Sequence, residues 1–518
     1  MQKNKKIVTG KRLCAGNRLP RLLMSIALIA LQTIVLIALV RWLRAYSLLF
    51  RIIWYGVAFW IVPELYHREN RPSKVRMIWL LLILLMPAAG IVLYLLYGRA
   101  GGVGLAKQRN ADARDLIKTI PVTGNIHLKE LERKMEPGTA NSFRYLESCG
   151  GFPVYPCQNI VYHEKPIDGL YDQIEQMKSA KQFIFIEYYA IADTHAFGLM
   201  SEVLKEKANE NVEVRILYDD VGSMGFLKSA FDKKMASCGI QIRTFGKIRP
   251  VISGFWQNRD HRKVIVVDGI YGFMAGYNLA DEYFGFEKCN GEWKDTGVGF
   301  QGPAVATLTR LFLEMWNSID CTDTDLSPYF PELPGTEAKG WIQPFGSNPL
   351  LDEKLAENVC LNLIQQAKNS LYLMTPYLIL DAAMQEALTL AAKRGVDVRI
   401  MIPGIPDKKL VFQLTCSYAQ SLRKAGARIY EYTPGFCHAK QILVDENTAL
   451  IGTINLDFRS LWYHFENALL MYQVPVLEEI RQDFIDSMQI SGEMKVQEPI
   501  PPLCALGLYL LHFLDPLL

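Results

Sequence analysis

The 518-residue chain has almost no excess of charge of one sign. Lys and Arg number 56 against 53 Asp and Glu, a net charge of +3. Bulk electrostatics therefore gives no reason to expect a nucleic-acid partner. Its 10 cysteines are scattered, with no C-x-x-C pair and no His/Cys ladder. That argues against a disulfide framework or a zinc site and fits a reducing compartment. No metal and no other cofactor is expected. Apolar residues, by contrast, are plentiful at 50%. They concentrate in the first hundred positions and the last twenty. The length allows two or three domain-sized units.

Leu22 to Val40 carries no charge and is long enough to cross a bilayer. Met77 to Gly98 is a second such run, with Pro87 and Gly90 inside it. Between them, Leu48 to Val62 is aromatic and apolar, with Arg51 near its start. It reads as a short third span or an interfacial segment. The expectation is a multi-pass membrane region over 1–110. The basic residues Lys3, Lys5, Lys6, Lys11, Arg12, Arg18 and Arg21 should hold the amino terminus inside. An even number of crossings then puts the remainder on the cytoplasmic face. The tail at 496–518 is nearly all apolar from Pro501 to Leu518 and is expected on or in the bilayer.

One pattern occurs twice. His261, Lys263, Asp268 and Asn278 follow the same spacing as His438, Lys440, Asp445 and Asn455. The flanks repeat too. Phe183 to Tyr189 corresponds to Leu371 to Tyr377, Val212 to Leu217 to Val396 to Met401, and Gly239 to Ile242 to Gly426 to Ile429. Helical stretches such as Gly169 to Ala180 and Ala382 to Lys393 intervene. Alternating strands and helices predict an α/β unit present twice. We place half one at 136–321, a Pro/Asp/Thr/Gly-rich linker at 322–344, and half two at 345–495.

Within each motif, His and Lys lie two apart on a predicted strand and so share a face. Two imidazoles, two ammonium groups and two amides suit a phosphate ester. A neutral His can attack phosphorus, and a protonated one can serve the leaving group. Lys263, Lys440, Asn278 and Asn455 would supply charge and donors to the phosphate oxygens. Small residues at Ala275, Gly276, Gly452 and Thr453 would let that phosphate approach. Each His also needs a carboxylate on its second ring nitrogen. Glu466 is the candidate in the half of His438, and Asp295 in that of His261. Asp268 and Asp445 end strands, where turn-capping competes with catalysis. His163, His195 and His464 have no repeat partner and read as ordinary.

These residues resemble the phospholipase D superfamily, whose hallmark is the duplicated His-x-Lys-x4-Asp-x6-Gly-Ser/Gly-x-Asn motif. Longer strings are similar to bacterial cardiolipin synthases. They include Leu217 to Ser223, Asn258 to Lys263, Trp293 to Thr296, Tyr432 to Lys440 and Gly452 to Ser460. Ala275 departs from the usual Gly. The resemblance implies two tandem α/β/α sandwich halves forming one pseudo-twofold catalytic unit behind transmembrane helices. It also implies phosphatidyl transfer between two phosphatidylglycerols at a lipid bilayer, with His261 as nucleophile and His438 as acid and base.

Overall fold

The computed structural model describes residues 48–495 and 502–517, apart from short stretches at 68–71, 99–103, 121–124, 136, 229, 248–256, 334–338 and 514. Before residue 48, only scattered helical positions between 23 and 41 are described. The run from Leu22 to Val40 therefore lies partly outside the described residues.

Two mixed sheets form the body. The first has seven strands, in the order Asn159–His163, Gly297–Gln301, Tyr271–Ala275, Lys263–Val267, Phe183–Tyr188, Glu213–Asp219 and Gln241–Phe245. The second runs Trp341–Ser347, Glu466–Tyr472, Thr448–Gly452, Gln441–Val444, Ser370–Met374, Asp397–Pro403 and Arg428–Tyr432, with a short strand added at each edge. The two orders correspond position by position. The last three strands of each are parallel and joined by helices; the others are antiparallel. Both faces of these strands are covered, which explains continuous apolar runs such as Val264-Ile265-Val266-Val267.

Alternation sorts each strand between two cores. Ile184, Ile186, Ile265 and Val267 face the outer helices of half one. Phe183, Phe185, Val264 and Val266 face inward, in one cluster with Leu443, Ile451, Leu469 and Met471 of the other half. Strand Thr448–Gly452 touches both Tyr271–Ala275 and Gly297–Gln301, so the sheets meet across this shared core. The helix Val305–Ile319 closes one side, with Phe312 stacked on Phe185 at 4.5 Å between ring centres. Each large side chain buried there contributes about 1.5–3 kcal/mol. The halves are thus one folded unit, and their mutual orientation is fixed by packing.

The expected boundaries shift in three places. Helix Pro137–Gly150 and strand Tyr155–Pro156 lie within the expected half one but pack on half two. Phe143 and Leu146 share a core with Leu355 and Val359, and Tyr155 pairs with Ile342. Half two begins with Trp341, inside the expected linker. Helix Gly104–Ile117 lies on Val305–Ile319 and buries Ala113 and Ile117, so it belongs to the body as much as to the amino-terminal region.

The amino-terminal helices also differ from expectation. The apolar run from Met77 to Gly98 is broken at Met86, giving helices Ser73–Leu85 and Pro87–Leu93. Pro87 supplies no amide hydrogen and disfavours helical geometry at the residue before it. Gly90 permits the resulting sharp fold-back, since a Cβ there would strike the backbone of Leu82 and Ile83. The middle segment is one helix, Leu48–His67, extending past Val62 with Pro63 inside it. Among the described residues no helix is long and apolar enough to cross a membrane. The multi-pass expectation is not supported, and the sidedness argument built on counting spans falls with it. These helices instead share a small apolar cluster around Ile61, Leu65, Ile83 and Tyr94. They leave Phe59 and Trp60 83% and 79% exposed.

Candidate active site

His261 and His438 occupy matching positions just before the strands Lys263–Val267 and Gln441–Val444. Backbone pairing across the halves pins each one. His261 donates its amide to the carbonyl of Phe465 at 2.9 Å, and Phe465 donates back to Arg259. Strand Gly435–Cys437 runs parallel to Glu292–Lys294, and His438 donates its amide to Lys294 at 2.7 Å. Each motif is thereby laid beside the carboxylate segment of the opposite half.

The carboxylates follow from this. His261 Nδ1 lies 2.9 and 3.0 Å from the two oxygens of Glu466. His438 Nδ1 lies 2.5 Å from Asp295 Oδ2. The sequence reading paired Glu466 with His438 and Asp295 with His261; the structure exchanges them. Both carboxylates are fully buried. Glu466 also accepts from the hydroxyls of Thr453 and Ser460. Asp295 accepts the Thr296 amide at 2.8 Å.

Lys263 and Lys440 are buried beside the rings. Lys263 Nζ donates to the His261 carbonyl at 2.7 Å. Lys440 Nζ reaches the His438 carbonyl and lies 2.6 Å from His438 Nδ1. Burial, countered by the carboxylates, lowers Lys263 to about 7 and Lys440 to about 8. Burial and the two ammonium groups hold both imidazoles well below their ordinary value, so their neutral forms dominate near pH 7. Burial raises Asp295 to about 7, opposed by Lys440. His261 senses Lys440 and His438 as well as Lys263. The two half-motifs therefore form one electrostatic site, with neutral nitrogen nucleophiles and positive charge for an oxyanion.

Comparison with known proteins gives the family of the chain. Residues 173–316 and 360–488, together more than half of the chain, match the family described as cardiolipin synthase, PLD-like domain. The chain belongs to this family. It is 32% identical over 436 residues to a cardiolipin synthase of Halalkalibacterium halodurans, covering 83% of this chain and 86% of that protein. An uncharacterized protein of Streptococcus mutans is 40% identical over 415 residues, covering 80% of this chain and 89% of that one. Among solved structures, a phosphatidylserine synthase of Haemophilus influenzae superposes with a TM-score of 0.55 at 16% identity, covering 74% of this chain and all of that one. That likeness concerns the fold.

Other predicted residues separate by position. Asp268 and Asp445 lie at the far ends of their strands, ~16 Å along the chain from the lysines at ~3.3 Å per residue. Each carboxylate accepts three backbone amides: those of Lys181, Gln182 and Phe183 for Asp268, and Lys368, Asn369 and Ser370 for Asp445. Both have positive φ, 53° and 48°. They clamp turns at the strand ends away from the lysines, as the turn-capping alternative expects. Asn278 is engaged within half one, donating to Tyr283 Oη at 2.7 Å and accepting from the Ala190 amide. Asn455 is buried with its side-chain oxygen unpaired. Gly276 and Gly452 are small for a reason other than phosphate access. A Cβ on Gly276 would strike the Asp295 carboxylate, and one on Gly452 would strike the backbone of Asn467.

His464, read from the sequence as ordinary, lies beside His261. Its ring lies 5.4 Å from that of His261, and its Nδ1 lies 3.4 Å from Glu466 Oε1. The signal was present two residues before Glu466, but only the tertiary pairing makes it meaningful. His261, His464 and Glu466 are spaced as a metal-ligand set could be. Lys263, Lys440 and Arg459 bear on these rings, so the local field favours an anion over a cation.

Proposed function

We propose that this chain transfers a phosphatidyl group from one phosphatidylglycerol to another, giving cardiolipin and glycerol. The observation that carries it is the pair of buried imidazoles, each hydrogen-bonded through Nδ1 to a carboxylate of the other half, with two lysines beside them. Family membership supplies the lipid substrate class.

His261 is the nucleophile. Its Nδ1–H is held by Glu466, which leaves the Nε2 lone pair for phosphorus. As the N–P bond forms, the P–O bond to the glycerol headgroup breaks, and the departing oxygen takes a proton from His438 in the minor fraction whose ring is protonated, the neutral form being the dominant one. The second phosphatidylglycerol then presents a headgroup hydroxyl. His438 takes that proton, the oxygen attacks phosphorus, and the N–P bond breaks to restore His261. Lys263 and Lys440 neutralise the non-bridging oxygens, and Asn455 supplies an amide. With Nδ1 of His438 donating to Asp295, Nε2 is the nitrogen left to exchange protons with the substrate.

The lipid surface meets the protein through its exposed apolar helices. Besides Phe59 and Trp60, Leu506, Tyr509 and Leu510 project from the carboxy-terminal helix Pro502–His512, while Leu508 and Leu511 pack on the core of half two. That is the pattern of a helix lying in an interface.

The test is product analysis. Purified protein with phosphatidylglycerol vesicles should yield cardiolipin and glycerol in equal amounts, and His261→Ala should abolish both. Phosphatidate in place of cardiolipin would mean that water is the acceptor and would overturn the transfer reading.

A further inference from the structure

The pseudo-twofold relation of the halves is broken at one position beside each carboxylate. Two residues before Asp295 stands Trp293; two residues before Glu466 stands His464. Both rings pack on the histidine of the opposite motif, Trp293 at 5.8 Å from His438 and His464 at 5.4 Å from His261. Trp293 has its polar atom satisfied by the Cys289 carbonyl at 2.6 Å. His464 is 91% buried, and neither of its ring nitrogens makes a hydrogen bond. Buried polar groups are normally paired, so such an imidazole asks for a partner. The nearest is Glu466 Oε1 at 3.4 Å. Catalytic hydrogen bonds in free enzymes often start long and tighten when substrate binds.

We propose that His464 is a positioning residue for His261, donating from Nδ1 to Glu466 so that this carboxylate stays a fixed acceptor while His261 attacks phosphorus. The inference rests on the reading of His261 as nucleophile. Ser460 holds Oε1 at 2.5 Å and Thr453 holds Oε2, leaving the sides that face the two imidazoles. As the N–P bond forms, His261 becomes cationic and its Nδ1 proton is drawn toward Glu466. A donor from His464 occupies Glu466 as an acceptor and keeps that proton on His261. Asp295 has no imidazole in the equivalent place, and burial leaves it readier to take a proton, as an acid–base partner for His438 requires. The charged groups bearing on His464 are Glu466, His261 and Arg459; Lys263, Lys440 and Asp457 also bear on its immediate neighbours.

The experiment compares His464→Phe and His464→Asn on phosphatidylglycerol, with thermal melting to confirm folding. His464→Phe should lower kcat about tenfold to a hundredfold, the worth of a hydrogen bond to a charged group, with KM little changed. Without that donor the Glu466 carboxylate pairs more strongly with the His261 imidazolium, and the acid limb of kcat/KM should move to higher pH. His464→Asn keeps a donor and should recover most of the loss. Should the Phe variant fail to fold, His464→Ala gives the same comparison without added volume. Wild-type kcat and an unmoved acid limb in folded His464→Phe or His464→Ala would overturn the proposal, as would an Asn variant no better than either. His261→Ala separates the two levels. If it stays active, the nucleophile reading has failed; if it is dead while His464 variants are normal, only the positioning role has failed.

Discussion

Replacing Glu466 by Gln tests the crossed pairing of carboxylates directly. The side chain is fully buried and meets His261 Nδ1 at 2.9 and 3.0 Å. Gln keeps the shape, but its single oxygen can accept at only one of the two positions that Thr453 and Ser460 now serve. It cannot accept from His261 at both oxygens, and its NH2 group favours the tautomer with the proton on Nε2. Losing a charge-assisted hydrogen bond costs about 1.5–3 kcal/mol, or roughly 10- to 150-fold in rate. Wrong tautomer selection extends the loss toward about 10⁴-fold, as for other carboxylate-oriented histidines. The expected outcome is a kcat on phosphatidylglycerol lowered within that range. Nitrogen NMR of histidine-labelled protein locates the effect, and with only 8 histidines the ring signals can be assigned by substitution. The signals of His261 should move and those of His438 should stay. Movement of His438 alone, or a kcat within about twofold of wild type, would refute the crossed arrangement.

Four further outcomes follow. Asp268→Ala and Asp445→Ala each strip the acceptor from three amides and should lower unfolding free energy by about 1–3 kcal/mol in urea titration, while the folded fraction keeps its kcat; loss of kcat in folded protein would restore a catalytic role. Since charged Lys263 and Lys440 are needed for phosphate and titrate near 7 and 8, kcat/KM should fall as pH rises through that window, and a flat profile to about pH 10 would contradict it. Gly276→Ala should displace Asp295 and cut kcat by about tenfold or more, whereas Ala275→Gly should be nearly silent. Phe59→Ser with Trp60→Ser should weaken flotation with phosphatidylglycerol vesicles without altering turnover in detergent micelles, because the two rings expose apolar area and lie far outside the His–Lys cluster in sequence.

The sequence by itself determined the repeating layer. Strand identity and order follow from local alternation and β-branched runs, so Phe183–Tyr188 and Ser370–Met374, or Lys263–Val267 and Gln441–Val444, could be matched before any coordinates. The His and Lys of each motif were legible for the same reason, since residues two apart on one strand share a face. Tertiary structure alone decided which carboxylate serves which histidine, because those contacts span 205 and 143 residues and depend on how two sheets pack. It likewise set Asp268 and Asp445 on turn amides, packed Pro137–Gly150 on half two, and broke the apolar run at Met86. His464 lay outside the repeat and so carried no periodic signal. Local pattern specifies an element and its faces; which faces meet is set by packing between elements distant in the chain, and the site is built where they meet.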